Sequence, residues 1–119
     1  MTTTTTQYEP YRLRGDNQTH DLKFNGVLIA EASNQAIQGP QQHRYTVFYL
    51  YKTETQKYVM CQENVTNYPS EEDTNNLHVF RNLEAVKDHF LNSHIDDTPL
   101  PRWIKEFMTD CDIKLVKEI

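Results

Sequence analysis

The run Arg44 to Lys52, Arg-Tyr-Thr-Val-Phe-Tyr-Leu-Tyr-Lys, restricts the fold more than any other stretch of the chain. It is dense in β-branched and aromatic side chains, which suit a pleated, half-buried surface and crowd a helix. No glycine or proline interrupts it. The run reads as a β-strand, and Lys57 to Glu63 reads as its antiparallel partner across Thr53 to Gln56. Closing that turn between Lys52 and Lys57 pairs Leu50 with Val59 and Phe48 with Cys61 on one face. The other face then pairs Tyr51 with Tyr58, Tyr49 with Met60 and Val47 with Gln62.

Weaker patterns flank this hairpin. Upstream, Leu22, Phe24, Leu28 and Ala30 fall on one face of a strand, and Gly26 within it points to a bulge or a close backbone approach. A polar loop, Asn34 to Gln42, carries the turn signal Gly39-Pro40. Downstream, a long polar connection from Asn64 to Asn76 precedes a short strand, Leu77 to Phe80. Asn82 suits the N-cap of a helix whose stripe is Leu83, Val86, Phe90 and Leu91. A second helix is expected after Thr98, with Pro99 and Pro101 in its first turn and Asp96 and Asp97 at the positive end of its dipole. Its stripe is broad: Leu100, Trp103, Ile104, Phe107, Met108 and Cys111. Residues 113–119 read as a last strand.

Strands followed by helices predict an α+β domain: an antiparallel sheet of four to five strands with two C-terminal helices packed on one face. The length of 119 residues fits one domain, taken as residues 21–119. Residues 1–20 read as a flexible tail, because Thr2 to Thr6 is low complexity and Tyr8, Tyr11 and Leu13 keep no period.

Composition sets limits on partners. A net charge of -5, with 12 basic residues scattered among 17 acidic ones, argues against nucleic acid and anionic membranes. No apolar run approaches the roughly 20 residues that span a bilayer, and the N-terminus lacks the apolar stretch of a secretory signal. Cys61 and Cys111 match no C-x-x-C pattern and read as reduced thiols, so a cytoplasmic location is expected.

Several short motifs, Phe24-Asn-Gly26-Val-Leu28-Ile-Ala30, Arg44-Tyr45, Leu50-Tyr51-Lys52-Thr53 and Lys57-Tyr58-Val59, resemble the small bacterial EXLDI family. The resemblance covers roughly residues 22–119. Tyr45 stands where the family tends to have Trp, Gln56 replaces a turn glycine, and Val116-Lys117-Glu118-Ile119 lacks the signature that names the family. The resemblance implies a similar fold and no activity or site residues.

The familiar chemistries find little support. His89 and His94 are five apart rather than the four of a helical zinc pair, and His20, His43 and His78 have no cysteine at ligand spacing. Asp96-Asp97 and Asp110-Cys111-Asp112 form no calcium loop, although Asp110 and Asp112 oppose the dipole of a helix C-terminus and mark a cation or a basic partner as an alternative. No nucleophile elbow or phosphate-cradling loop is present, and Cys61 falls on the expected core face. Neither an enzyme nor a cofactor is expected. The reading that remains is a non-enzymatic binding or regulatory module acting through a protein partner or a homodimer. Its partner-binding residues would be Tyr49, Tyr51, Tyr58 and Met60, brought together on one sheet face. The alternatives are a nucleic-acid-associated regulator using the same aromatic face, and a small calcium-binding protein.

Overall fold

The computed structural model describes residues 7–35, 43–92 and 100–113. The fold is α+β. Among the described residues five strands, β1 (Glu9–Leu13), β2 (Leu22–Ser33), β3 (Arg44–Thr53), β4 (Tyr58–Thr66) and β5 (Thr74–Phe80), precede two helices, α1 (Leu83–Asn92) and α2 (Arg102–Asp110). The strands form one antiparallel meander in the order β1-β2-β3-β4-β5. The expectations for Thr2 to Thr6, Gly39-Pro40, His94, Asp96, Asp97, Pro99 and residues 114–119 lie outside the described residues.

The central hairpin forms as expected, but its register differs by one residue. Leu50 lies opposite Met60, Phe48 opposite Gln62, Tyr49 opposite Cys61 and Tyr51 opposite Val59. The turn explains the shift. Thr53 N–H donates to the Lys57 carbonyl at 2.8 Å, and Gln56 N–H donates to the Thr53 carbonyl at 3.0 Å, so only Glu54, Thr55 and Gln56 make the loop. Gln56 takes a left-handed conformation with φ 67°, the residue that ends such a three-residue connection. Because strand side chains alternate, a slip of one residue sends every side chain of β4 to the other face.

Phe48 and Leu50 therefore share the helix side with Met60, and Val59 and Cys61 lie on the opposite side. Both helices pack against this first face. Ala30, Phe48, Leu50 and Met60 of the sheet bury against Val86 and Phe90 of α1, Phe107 and Met108 of α2, and Cys111 and Ile113 beyond it. Phe48 sits at the centre: its ring lies 5.2 Å from Phe90, 5.4 Å from Trp103 and 5.9 Å from Phe107. Trp103 is half-buried, its indole stacked on Phe48.

The helix ends are set by local chemistry. Asn82 caps α1, its Oδ1 accepting the Ala85 N–H at 2.9 Å, a contact that contributes about 1 kcal/mol. Pro101 precedes α2 rather than lying inside its first turn. At the other end of α2, Asp112 N–H donates to Thr109 and Ile113 N–H to Met108, with Asp112 at φ 64°. This two-bond cap needs a left-handed residue, which Asp tolerates better than most, and buries Ile113 beside Met108. The negative charge of Asp112 near the helix C-terminus thus has a conformational cause that needs no cation.

Two further differences shape the sheet. The tail expected over residues 1–20 is, from Glu9 to Leu13, a strand paired with β2. The segment after it crosses to the far edge of the sheet. Asp16 N–H donates to the Asn75 carbonyl and Asn75 N–H to the Asp16 carboxylate, each at 2.6 Å. Asn17 engages both backbone groups of Leu77, donating to its carbonyl at 2.9 Å and accepting its N–H at 2.8 Å. Gly15 packs so closely on Leu77 that an added Cβ would come within 2.7 Å of that side chain. The meander is thereby curled, its first connection laid along its last strand.

In β2 the register shifts between Leu28 and Ala30. Ala30 consequently turns to the helix side, away from the face of Phe24 and Leu28, contrary to the simple alternation. Gly26 meets the backbone closely, since a Cβ there would lie 2.9 Å from the Lys52 carbonyl oxygen.

Candidate docking face

The face away from the helices carries Tyr11, Phe24, Leu28, Glu31, Tyr45, Val47, Tyr49, Tyr51, Val59, Cys61, Glu63 and Leu77, by register and alternation. Its two halves differ. Toward β1 the rings of Tyr11, Phe24 and Tyr51 pack on one another, with centroids 4.7 Å apart for Tyr11 and Tyr51 and 5.5 Å for Tyr11 and Phe24. Val59 and Leu77 beside them are buried, as is Thr53. This half is a second small core, closed by Gly15 and Asn17 on the β5 side.

Toward the other end of β3 the face opens. Tyr45, Val47 and Tyr49, each half-buried, line a concavity of about 450 Å³ with Glu31, Ser33 and Gln35. Of the four partner-binding residues expected from the sequence, Tyr49 and Tyr51 lie on this face and Tyr58 and Met60 do not. Met60 is fully buried under the helices and Tyr58 packs against the same core. The one-residue register shift separates the pairs. Tyr51 belongs to the closed half, and its neighbour Tyr49 to the open one. Tyr45, Val47 and Glu31 were missed: the bulge that turns Glu31 onto this face has no signal beyond the nearby Gly26.

Electrostatics follow the same division. Burial pushes the Tyr51 hydroxyl up to about 12, helped by Cys61 and Tyr11. Tyr49 is also raised, by burial first and then by Glu63 and Glu31. Burial and Glu63 raise the Cys61 thiol, and burial and Asp110 push Cys111 up to about 12. Both cysteines are free, and at neutral pH both carry the less nucleophilic protonated form.

A second groove, also of about 450 Å³, lies at the end of the sheet among Asn34, Arg44, Thr46, Asn64, Glu71 and Thr74. Its polar groups largely bond one another. Thr46 N–H donates to Asn34 Oδ1 at 2.8 Å, Asn64 Nδ2 to Thr74 Oγ1 at 3.2 Å, and Arg44 Nε to Glu71 Oε1 at 3.0 Å. The Arg44 and Thr66 hydrogen bonds hold the Glu71 carboxyl down to about 2.

On the helix side, His78 and His89 lie with ring centroids 4.7 Å apart. Burial lowers both, and for His89 the neighbouring His78 adds to the shift. The folded state thus keeps both imidazoles neutral, while the unfolded chain takes up protons near the ordinary value of 6.5. Their stabilisation is present above that value and is lost as pH falls through it toward the lowered folded pKa values. Urea melts are expected to show a steeper loss of stability between neutral and mildly acid pH for the native chain than for His78→Asn/His89→Asn. Parallel profiles would exclude the pair as the cause. Among the described residues, no group of three or more His, Cys, Asp or Glu is placed to hold a metal ion.

Among the described residues no helix is long and apolar enough to cross a membrane. No family model, curated protein or solved structure matches the chain. The likeness to the EXLDI family thus rests on the short motifs alone.

Proposed function

We propose that the chain is a non-enzymatic binding module that docks a protein partner, a second copy included, on the open half of its tyrosine face. The observation that carries this reading is the stripe Tyr45, Val47 and Tyr49 bordering a concavity that the described helices leave uncovered. Tyrosine offers a large contact area with few torsions to freeze and a hydroxyl for the wet rim, which is why interfaces favour it. The closed half behind it, Tyr11, Phe24 and Tyr51, gives the stripe a rigid base.

Charge separates this reading from a nucleic-acid regulator using the same face. The strands place Glu9, Glu31 and Glu63 on this side, while Arg12, Lys23, Arg44 and Lys52 alternate onto the other. Phosphates approaching Tyr49 would meet carboxylates instead of the cations that release counterions.

Mild iodination read by peptide mass mapping tests the proposal. Tyr45 and Tyr49 are expected to react in the dilute chain and to be protected in an extract of the source cells or at high chain concentration. Tyr68, 40% exposed on another surface, is expected to react throughout. Unchanged labelling of Tyr45 and Tyr49 under all conditions would remove the face from consideration.

A further inference from the structure

The character of the docked partner can be read from what surrounds Tyr49. Glu31 lies directly opposite it on β2, and Glu63 lies diagonally across on β4, two residues beyond Cys61 and opposite Val47. Both carboxylates share the face of the Tyr49 ring, and neither has an ion-pair partner among the described salt bridges. The described ion pairs all lie elsewhere on the molecule: Asp21 with Arg12 and Arg14, Glu71 with Arg44, and Glu106 with Arg102. The concavity between Glu31, Tyr45 and Tyr49 is an aromatic surface flanked by negative charge, and among the described residues the strands put no Lys or Arg on its face.

We infer that the face recognises a basic peptide segment, with an arginine side chain laid on the Tyr49 ring between Glu31 and Glu63. This deepens the docking reading above and rests on it. A guanidinium is planar and weakly hydrated, so it stacks on a tyrosine ring while its edge donates to a carboxylate; a lysine ammonium can do only part of this. The aliphatic stem of the arginine lies against Val47 and the Tyr45 ring, where apolar surface is half-exposed. A second copy of the chain fits this chemistry less well, because like faces would bring their glutamates together.

Residue-resolved amide titrations of the full chain test the inference, with short oligoarginine, oligolysine and oligoglutamate of equal length as probes. Oligoarginine is expected to move the amides of Glu31, Val47, Tyr49 and Glu63, oligolysine to bind more weakly, and oligoglutamate to move none of them. Glu31→Gln/Glu63→Gln should weaken oligoarginine binding about tenfold or more. Glu72→Gln/Glu84→Gln removes the same charge from exposed positions elsewhere and should leave binding within about twofold. Tyr49→Phe should retain binding and Tyr49→Ser lose it. Equal weakening by the two double variants, or shifts centred on Glu71, Glu72 and Asp73, would mean unspecific attraction to an acidic protein and overturn the inference. Should Glu31→Gln/Glu63→Gln fail to fold, the native chain decides alone: binding indifferent to salt overturns the inference. Iodination distinguishes the two levels. Protection of Tyr45 and Tyr49 in extract without oligoarginine binding leaves the docking reading standing and removes the arginine; protection only at high chain concentration replaces the arginine with a second copy; absence of any protection removes both.

Discussion

A chain lacking residues 1–18 is expected to lose cooperative unfolding, or to retain it with stability reduced by on the order of 5 kcal/mol. The deletion takes away β1, and with it Tyr11 from the stack on Phe24 and Tyr51. Burying part of Tyr11 and of Leu13 contributes roughly 1–2 kcal/mol each. It also takes away Asp16 and Asn17, which satisfy Asn75 and the backbone of Leu77, and uncovers the fully buried Leu77 side chain. Leaving such groups unpaired costs about 1–3 kcal/mol for each that water does not reach. Against a typical total of about 5–15 kcal/mol this is a large share. Urea denaturation followed by circular dichroism measures it, and a truncated chain within about 1 kcal/mol of the full one would show that the first strand adds nothing.

The second large effect is expected at Leu50. Its side chain is fully buried, lies between Ala30 on β2 and Met60 on β4, and belongs to the core both helices cover. Leu50→Ala leaves a cavity the surrounding aromatic rings cannot fill without leaving their contacts, and should cost on the order of 2–5 kcal/mol. Val79→Ala is the matched control: Val79 is 52% exposed on β5, so its truncation should cost less than about 0.5 kcal/mol. Similar midpoints for the two variants in urea would contradict the placement of the helices over Phe48 and Leu50.

The sequence made the kinds of element legible more readily than their phase. The density of β-branched and aromatic residues in Arg44 to Lys52 is a local signal, and so is Asn82 before an apolar stripe, and both elements form. The hairpin register turns on Gln56, whose left-handed conformation is usual for Gly or Asn and is signalled here only by the turn glycine that it replaces in the EXLDI pattern. That single residue decided whether Met60 or Cys61 faced the helices, and hence which side chains could share a site with Tyr49. β1 escaped notice because an edge strand of five residues contributes only Tyr11 and Leu13 inward, too few to show a period. Asn17 was invisible for another reason: its role depends on Leu77, sixty residues away in the chain, and no local pattern encodes such a meeting.

The contact between Asn17 and Leu77 also determines how this sheet can meet another. A meander ends in two unpaired rows of N–H and C=O groups, each a template for strand addition and, in the extreme, for fibre growth. On β5 the side chains of Asp16 and Asn17 occupy the backbone groups of Asn75 and Leu77 in the place a sixth strand would take. On β1, Pro10, the second of its five residues, has no N–H to donate. Lateral growth of the sheet is blocked at one border and shortened at the other, so association is directed to side-chain surfaces, where a change in one residue can alter the choice of partner without exposing the backbone to aggregation.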